Sequence, residues 1–161
     1  MKLVSRAGGL AFALAALVVI LDQAVKSWIV DGLRLIPGVP QPVFGPLRLT
    51  LVENPGVSFG LLQNGGWVRW ALAGFALAVA AALGWWARRT EKLYTGVALG
   101  LVIGGALGNF CDRVRFGTVV DFVDVTALKF PWVFNLADSA ITIGIVLLLI
   151  EGLFTGKRQT A

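Results

Sequence analysis

Six aspartates and three glutamates are the only obvious acid–base groups in this chain. It has no histidine and one cysteine, Cys111. A histidine-based triad, a histidine-liganded zinc site and an internal disulfide are therefore excluded, and no metal or other cofactor is expected. What remains is carboxyl chemistry. Two carboxyl groups that share a site cannot both ionise easily, so their proton affinities split. The ionised member can take a proton from water while the protonated member donates to a carbonyl oxygen. The candidates are Asp22, Asp112, Asp121 and Asp138, and the elements that carry them decide whether any two can meet.

Those elements are set by hydrophobicity. Of 161 residues, 57% are hydrophobic and 14% charged, against roughly 25% charged in an average soluble domain. So few charges cannot cover a soluble surface, and the chain reads as a single integral membrane domain, 1–161. Four stretches are apolar enough to span a bilayer, at about 8–28, 68–87, 93–111 and 133–153. Each reads as apolar on all faces, as a lipid-facing helix is. The first reads as an anchor rather than a cleavable leader. Loops at about 29–67 and 112–132 join them on one side. Leu47–Leu51 alternates apolar and polar residues and predicts a strand, as does Thr118–Asp124. The predicted fold is a membrane all-α bundle with a small extracytoplasmic β-cradle and a lid between the last two helices.

Basic residues give the orientation. Lys2, Arg6, Arg88, Arg89, Lys92, Lys157 and Arg158 crowd the short ends on one side. As many are spread over the long loops, so density near the spans decides, and both termini are placed in the cytoplasm. The net charge of +5 then belongs to membrane surfaces and not to nucleic-acid binding. This topology puts Asp22, Asp112, Asp121 and Asp138 near one face, the extracytoplasmic one. Two readings fit that gathering. It is a functional site, because acids in hydrocarbon usually face a polar cavity, or it is a set of structural ion pairs with Lys26, Arg113 and Arg115. The glycines at 96, 100, 104 and 108 form a stripe for close helix packing within the bundle. Asn109, Asp112 and Arg113 extend that ridge if the helix continues so far. Asn135 is placed to cap the last helix, with Asp138 at its third position.

The polar motifs resemble those of the bacterial lipoprotein signal peptidases (signal peptidase II). The matching segments run in order: Asp22-Gln23-x-x-Lys26, Asn54-Pro55-Gly56-x-x-Phe59-Gly60, Gly104-Gly105-Ala106-Leu107-Gly108-Asn109-x-x-Asp112-Arg113, Val119-Val120-Asp121-Phe122 and Phe134-Asn135-x-Ala137-Asp138-Ser139. The resemblance implies an aspartic endopeptidase of the inner membrane that cuts prolipoproteins before a diacylglyceryl-modified cysteine. It implies Asp121 and Asp138 as the catalytic pair. Asn54, Gly56, Asn109, Arg113 and Asn135 are then dyad-supporting or substrate-binding. Asp22 and Lys26 are tied to fold or activity, and Asp112 is structural. It also implies contact with membrane lipid, a monomer, and inhibition by globomycin-type compounds. Three other readings remain: a proton- or ion-translocating subunit using Asp22 and Asp138, a glycine-packed scaffold, and a Ser58–Lys26 pair.

Overall fold

The computed structural model describes residues 3–56 and 66–156. Ser58, Phe59, Gly60, Lys2, Lys157 and Arg158 lie outside the described residues. Four helices carry the mass of the protein: α1 (Arg6–Ser27), α2 (Trp67–Ala87), α3 (Leu93–Arg115) and α4 (Leu136–Gly156). All four contain segments long and apolar enough to cross a membrane. Four short strands accompany them: β1 (Gln41–Phe44), β2 (Leu47–Asn54), β3 (Val119–Asp124) and β4 (Val133–Phe134). The membrane bundle with a small sheet is the fold class the sequence predicted.

The helices are not equivalent. α3 is the central one, packed on α1, α2 and α4, whereas α2 and α4 scarcely meet. About two thirds of its apolar window is buried, at 67%. The expectation that every span faces lipid fails here, and the reason is its glycines. A Cβ at Gly96 would sit 2.5 Å from the Ala7 carbonyl oxygen, one at Gly100 2.7 Å from that of Ala11, and one at Gly104 2.8 Å from that of Ala15. Only hydrogen at those positions lets the α1 backbone lie on α3. The stripe is thus a packing surface within the bundle. α3 also runs past Cys111 to Arg115, because Asp112, Arg113 and Arg115 have partners there. The helix therefore reaches into the segment expected to be loop.

One end of the bundle is tied together by polar contacts. The Ser5 hydroxyl accepts the Gly8 amide at 2.9 Å to cap α1 and donates to the Thr90 carbonyl in the turn between α2 and α3. Lys92 and Thr95 reach Glu151 near the end of α4. The sheet sits at the opposite end. Its order is β1-β2-β3-β4, antiparallel throughout. Gly45, with φ +53°, turns β1 into β2. Ile29, just past α1, packs with Leu51, Val120 and Phe122, which seats the sheet on the bundle. The β2–β3 register shifts between Leu49 and Val52, next to Asp121.

Candidate active site

α4 begins with the capping box expected from its sequence. The Asp138 amide donates to Asn135 Oδ1 at 2.9 Å, and the Asn135 amide donates back to Asp138 Oδ2 at 3.3 Å. With its oxygen so used, the Asn135 side chain points its Nδ2 at Asp121 Oδ1, 2.7 Å away. One residue therefore bonds to both aspartates. Asp121 comes from β3. Val119 and Asp121 share a strand face, and Asn54 is paired with Val119. Asn54 Nδ2 reaches Asp121 Oδ2 at 2.9 Å, while its Oδ1 accepts the Gly56 amide at 2.8 Å. Gly56 has φ +83°, and a Cβ there would lie 2.5 Å from the Leu72 side chain. Only glycine satisfies both conditions.

Asp138 is held from a third side. Asn109 Nδ2 donates to its Oδ1 at 2.8 Å, and Asn109 Oδ1 accepts from Asn135 at 3.1 Å and from Lys26 Nζ at 3.3 Å. Both aspartates open onto a cavity of about 550 Å³ whose other walls include Phe130, Trp132, Phe134 and Ile143. Neither forms an ion pair with a lysine or arginine among the described residues. Burial pushes the Asp121 carboxyl up to about 6, against the opposing pull of the Asn54 hydrogen bond and with the added push of the Asp138 charge.

Asp22 and Asp112 behave differently. Lys26 Nζ lies 2.8 Å from Asp22 Oδ2 and 2.7 Å from Asp112 Oδ2, all three side chains buried. The ion-pair reading holds for these two acids. Each also accepts a backbone amide next to one of the other aspartates: Asp22 from Ala137 at 3.0 Å, Asp112 from Val120 at 3.1 Å. Arg113 donates to the Asn109 carbonyl at 3.2 Å, and Arg115 to Gln23 Oε1 at 3.1 Å. Neither of these arginines meets a carboxylate among the ion pairs of the described residues.

The structure thus brings Asp121, Asp138, Asn54, Asn109 and Asn135 into one hydrogen-bonded set, with Lys26, Asp22 and Asp112 behind it. A family model described as "Signal peptidase (SPase) II" matches residues 14–154. The chain belongs to the signal peptidase II family. Its relatives include the lipoprotein signal peptidase of Caulobacter vibrioides, 47% identical over 97% of this chain and 94% of that protein. That of Cupriavidus necator is 42% identical over 91% of this chain and 85% of its own length. Two solved structures, each described as a bacterial membrane enzyme, superpose with TM-scores of 0.80 and 0.79. They are 32% and 33% identical, covering 93% and 90% of this chain and 91% and 93% of theirs.

Within this family member, a second group escaped the sequence reading. Asp124 accepts from Thr50 Oγ1 at 2.6 Å and from the Thr126 amide and hydroxyl at 2.9 and 2.7 Å. The Thr126 and Thr50 donors hold its carboxyl down at about 2. It pins the turn after β3, from which Phe130 and Trp132 reach the cavity. The signal that could have found it is an aspartate on the strand face opposite Asp121, but only a known β2–β3 register puts Thr50 beside it.

Proposed function

We propose that this protein is an aspartic endopeptidase that removes signal peptides from prolipoproteins, with Asp121 and Asp138 as its catalytic pair. The carrying observation is the cavity in which both carboxyls, without ion-pair partners among the described residues, are hydrogen-bonded to Asn135. Peptidase chemistry follows from that pair. A water molecule between the carboxyls loses a proton to the ionised aspartate as its oxygen attacks the scissile carbonyl carbon. The protonated aspartate gives its proton to the carbonyl oxygen, and a neutral gem-diol forms. Collapse returns a hydroxyl proton to one carboxylate, breaks the C–N bond and protonates the leaving amine. The two aspartates exchange states in each cycle.

The asparagine amides that the sequence suggested for gripping substrate are engaged with the aspartates here. They therefore act chiefly by orienting the dyad. The substrate is a precursor whose cysteine carries a diacylglyceryl group, and the cut falls before it. The dyad lies near the extracytoplasmic face of the inner membrane, with both termini in the cytoplasm. The enzyme works as a monomer among lipids, and globomycin-type inhibitors fill the aspartate cavity. Ion translocation finds no support, since the helices carry acids at the sheet end and, among the described residues, only Glu151 at the other.

The test is mass spectrometry of a diacylglyceryl-modified precursor peptide incubated with purified protein. The unaltered enzyme releases the signal segment. Asp121→Asn and Asp138→Asn leave at least 99 in about 100 molecules intact while retaining the helical circular dichroism of the parent. Normal processing by either variant overturns the assignment.

A further inference from the structure

Three strands meet at Asp124. It is paired with Arg48 of β2 on one side and with Val133 of β4 on the other. The residue is 3% exposed and lies on the strand face turned away from Asp121. Both of its carboxylate oxygens are taken. Oδ2 accepts the Thr50 hydroxyl of β2 at 2.6 Å. Oδ1 accepts the Thr126 amide at 2.9 Å and the Thr126 hydroxyl at 2.7 Å. Arg48 Nη2 stands 3.5 Å from the same oxygen and also donates to the Thr126 hydroxyl. Hydrogen bonds to an ionised acceptor are among the stronger ones. One buried carboxylate thus ties Thr126 to β2 and β3.

Packing does little to hold the chain beyond Thr126. It makes one 3-10 turn, Thr126–Leu128. Lys129 then takes a left-handed backbone at φ +63°, which a residue with a Cβ adopts at a cost. Every residue from Ala127 to Trp132 is exposed, so burial in the bundle does not fix this stretch. Yet it carries Phe130 and Trp132, which wall the aspartate cavity. The Phe130 ring meets Trp132 edge-on at 5.4 Å and Phe134 at 6.0 Å, which joins the three into one surface. The far end of the stretch is fixed by β4 and Asn135. Its near end is fixed at Asp124.

We infer that Asp124 is a positioning residue of the peptidase: by anchoring Thr126 it holds the surface of Phe130 and Trp132 where the precursor peptide lies, and it acts on substrate binding and not on the chemistry of the dyad. The inference rests on the peptidase reading above. A wall that is already ordered spares the incoming peptide an entropy cost, whereas a loose wall has to be ordered at the expense of binding. Asp121 has supports of its own, Asn54 and Asn135, and keeps them when Asp124 is lost.

Steady-state kinetics with the diacylglyceryl-modified precursor peptide, joined to amide hydrogen exchange, test it. In Asp124→Ala, KM rises about tenfold or more, as expected when hydrogen bonds to a charged group are lost. Its kcat stays within about threefold of the parent. Amides of residues 125–132 exchange faster, while those of 119–122 keep their protection. Asp124→Asn retains an acceptor for Thr126 and can turn its amide to the Thr50 hydroxyl, so its KM returns to within about threefold of the parent. An unchanged KM in Asp124→Ala overturns the inference, even if the variant melts at a lower temperature, since a purely structural residue does that. So does a fall in kcat at constant KM, which makes Asp124 act through the dyad. So does an Asp124→Asn protein as inactive as Asp121→Asn. Where Asp124→Ala fails to fold, Thr126→Val carries the test. It keeps the backbone amide, loses the hydroxyl and raises KM about threefold at unchanged kcat; an unchanged KM again overturns the inference. Cleavage by the unaltered enzyme is scored first. If it cuts the precursor and the variants leave KM alone, only the role of Asp124 is wrong. If it does not cut, the peptidase reading falls and takes this role with it.

Discussion

Asn135 sets how the two aspartates face each other. Its side-chain Oδ1 is fixed by the Asp138 amide, which turns its Nδ2 to Asp121, with Asn109 Oδ1 and the Val120 carbonyl as its other acceptors. Asn54 does the same from the other side, its oxygen fixed by the Gly56 amide. Both donate to the charged form of Asp121 and so pull its proton affinity down, while burial pulls it up to about 6. The sign of a substitution follows. Asn54→Ala removes a donor to the carboxylate, and the affinity for the proton rises. The cleavage profile of the parent therefore carries a limb near pH 6, and in Asn54→Ala that limb moves to higher pH by about one unit. Rates of precursor cleavage measured across that region check it. A parent profile flat there, or a limb that moves down, contradicts the account.

At the scale of elements, the contact between α3 and α4 is the most demanding. A Cβ at Gly105 would fall 2.3 Å from the Ala137 carbonyl oxygen and 2.7 Å from Ile141 Cγ1. Gly105→Ala must push the first turn of α4 outward, and Asp138 with it. Overpacking of this kind costs about 1–3 kcal/mol. The variant unfolds at a lower temperature and loses cleavage at least tenfold, an effect of about 1.4 kcal/mol on the barrier. Gly9 has nothing within 4 Å, so Gly9→Ala serves as the matched control and leaves both measurements near the parent values. The helices were readable in the chain because apolar runs of this length have few other uses. The cap of α4 was readable because Asn135 and Asp138 are three residues apart. Strand β2 showed through its alternation and β3 as a strand-like run rich in valine. β1 and β4 did not, because four residues with a proline and two residues carry no period. The bridging role of Asn109 was also hidden. It depends on α3 lying against α4 and Lys26 at once, and no local pattern encodes that.

Seen as a whole molecule, the protein fastens two distant pieces of backbone to one ammonium. Lys26 holds Asp22, which accepts the Ala137 amide beside Asp138, and Asp112, which accepts the Val120 amide beside Asp121. Removing the cation leaves two buried carboxylates facing each other, a loss of about 3–5 kcal/mol. Lys26→Met therefore melts well below the parent and cleaves little. Combining it with Asp22→Asn and Asp112→Asn removes the uncompensated charge and recovers part of the melting temperature. Thermal unfolding of the single and triple variants in one detergent decides the matter, and equal melting points refute the charge argument.

The glycine-to-carbonyl seam between α1 and α3 bears on how heat takes the molecule apart. Separating those helices inside a bilayer trades close packing for lipid and wets almost no hydrocarbon. Such a step carries little change in heat capacity. The cluster of Ile29, Leu51, Val120 and Phe122 under the sheet comes apart into water, and its unfolding carries the usual positive heat-capacity increment. In one polypeptide, the strand bearing Asp121 and the helical seam are thus held by forces whose strengths change differently with temperature.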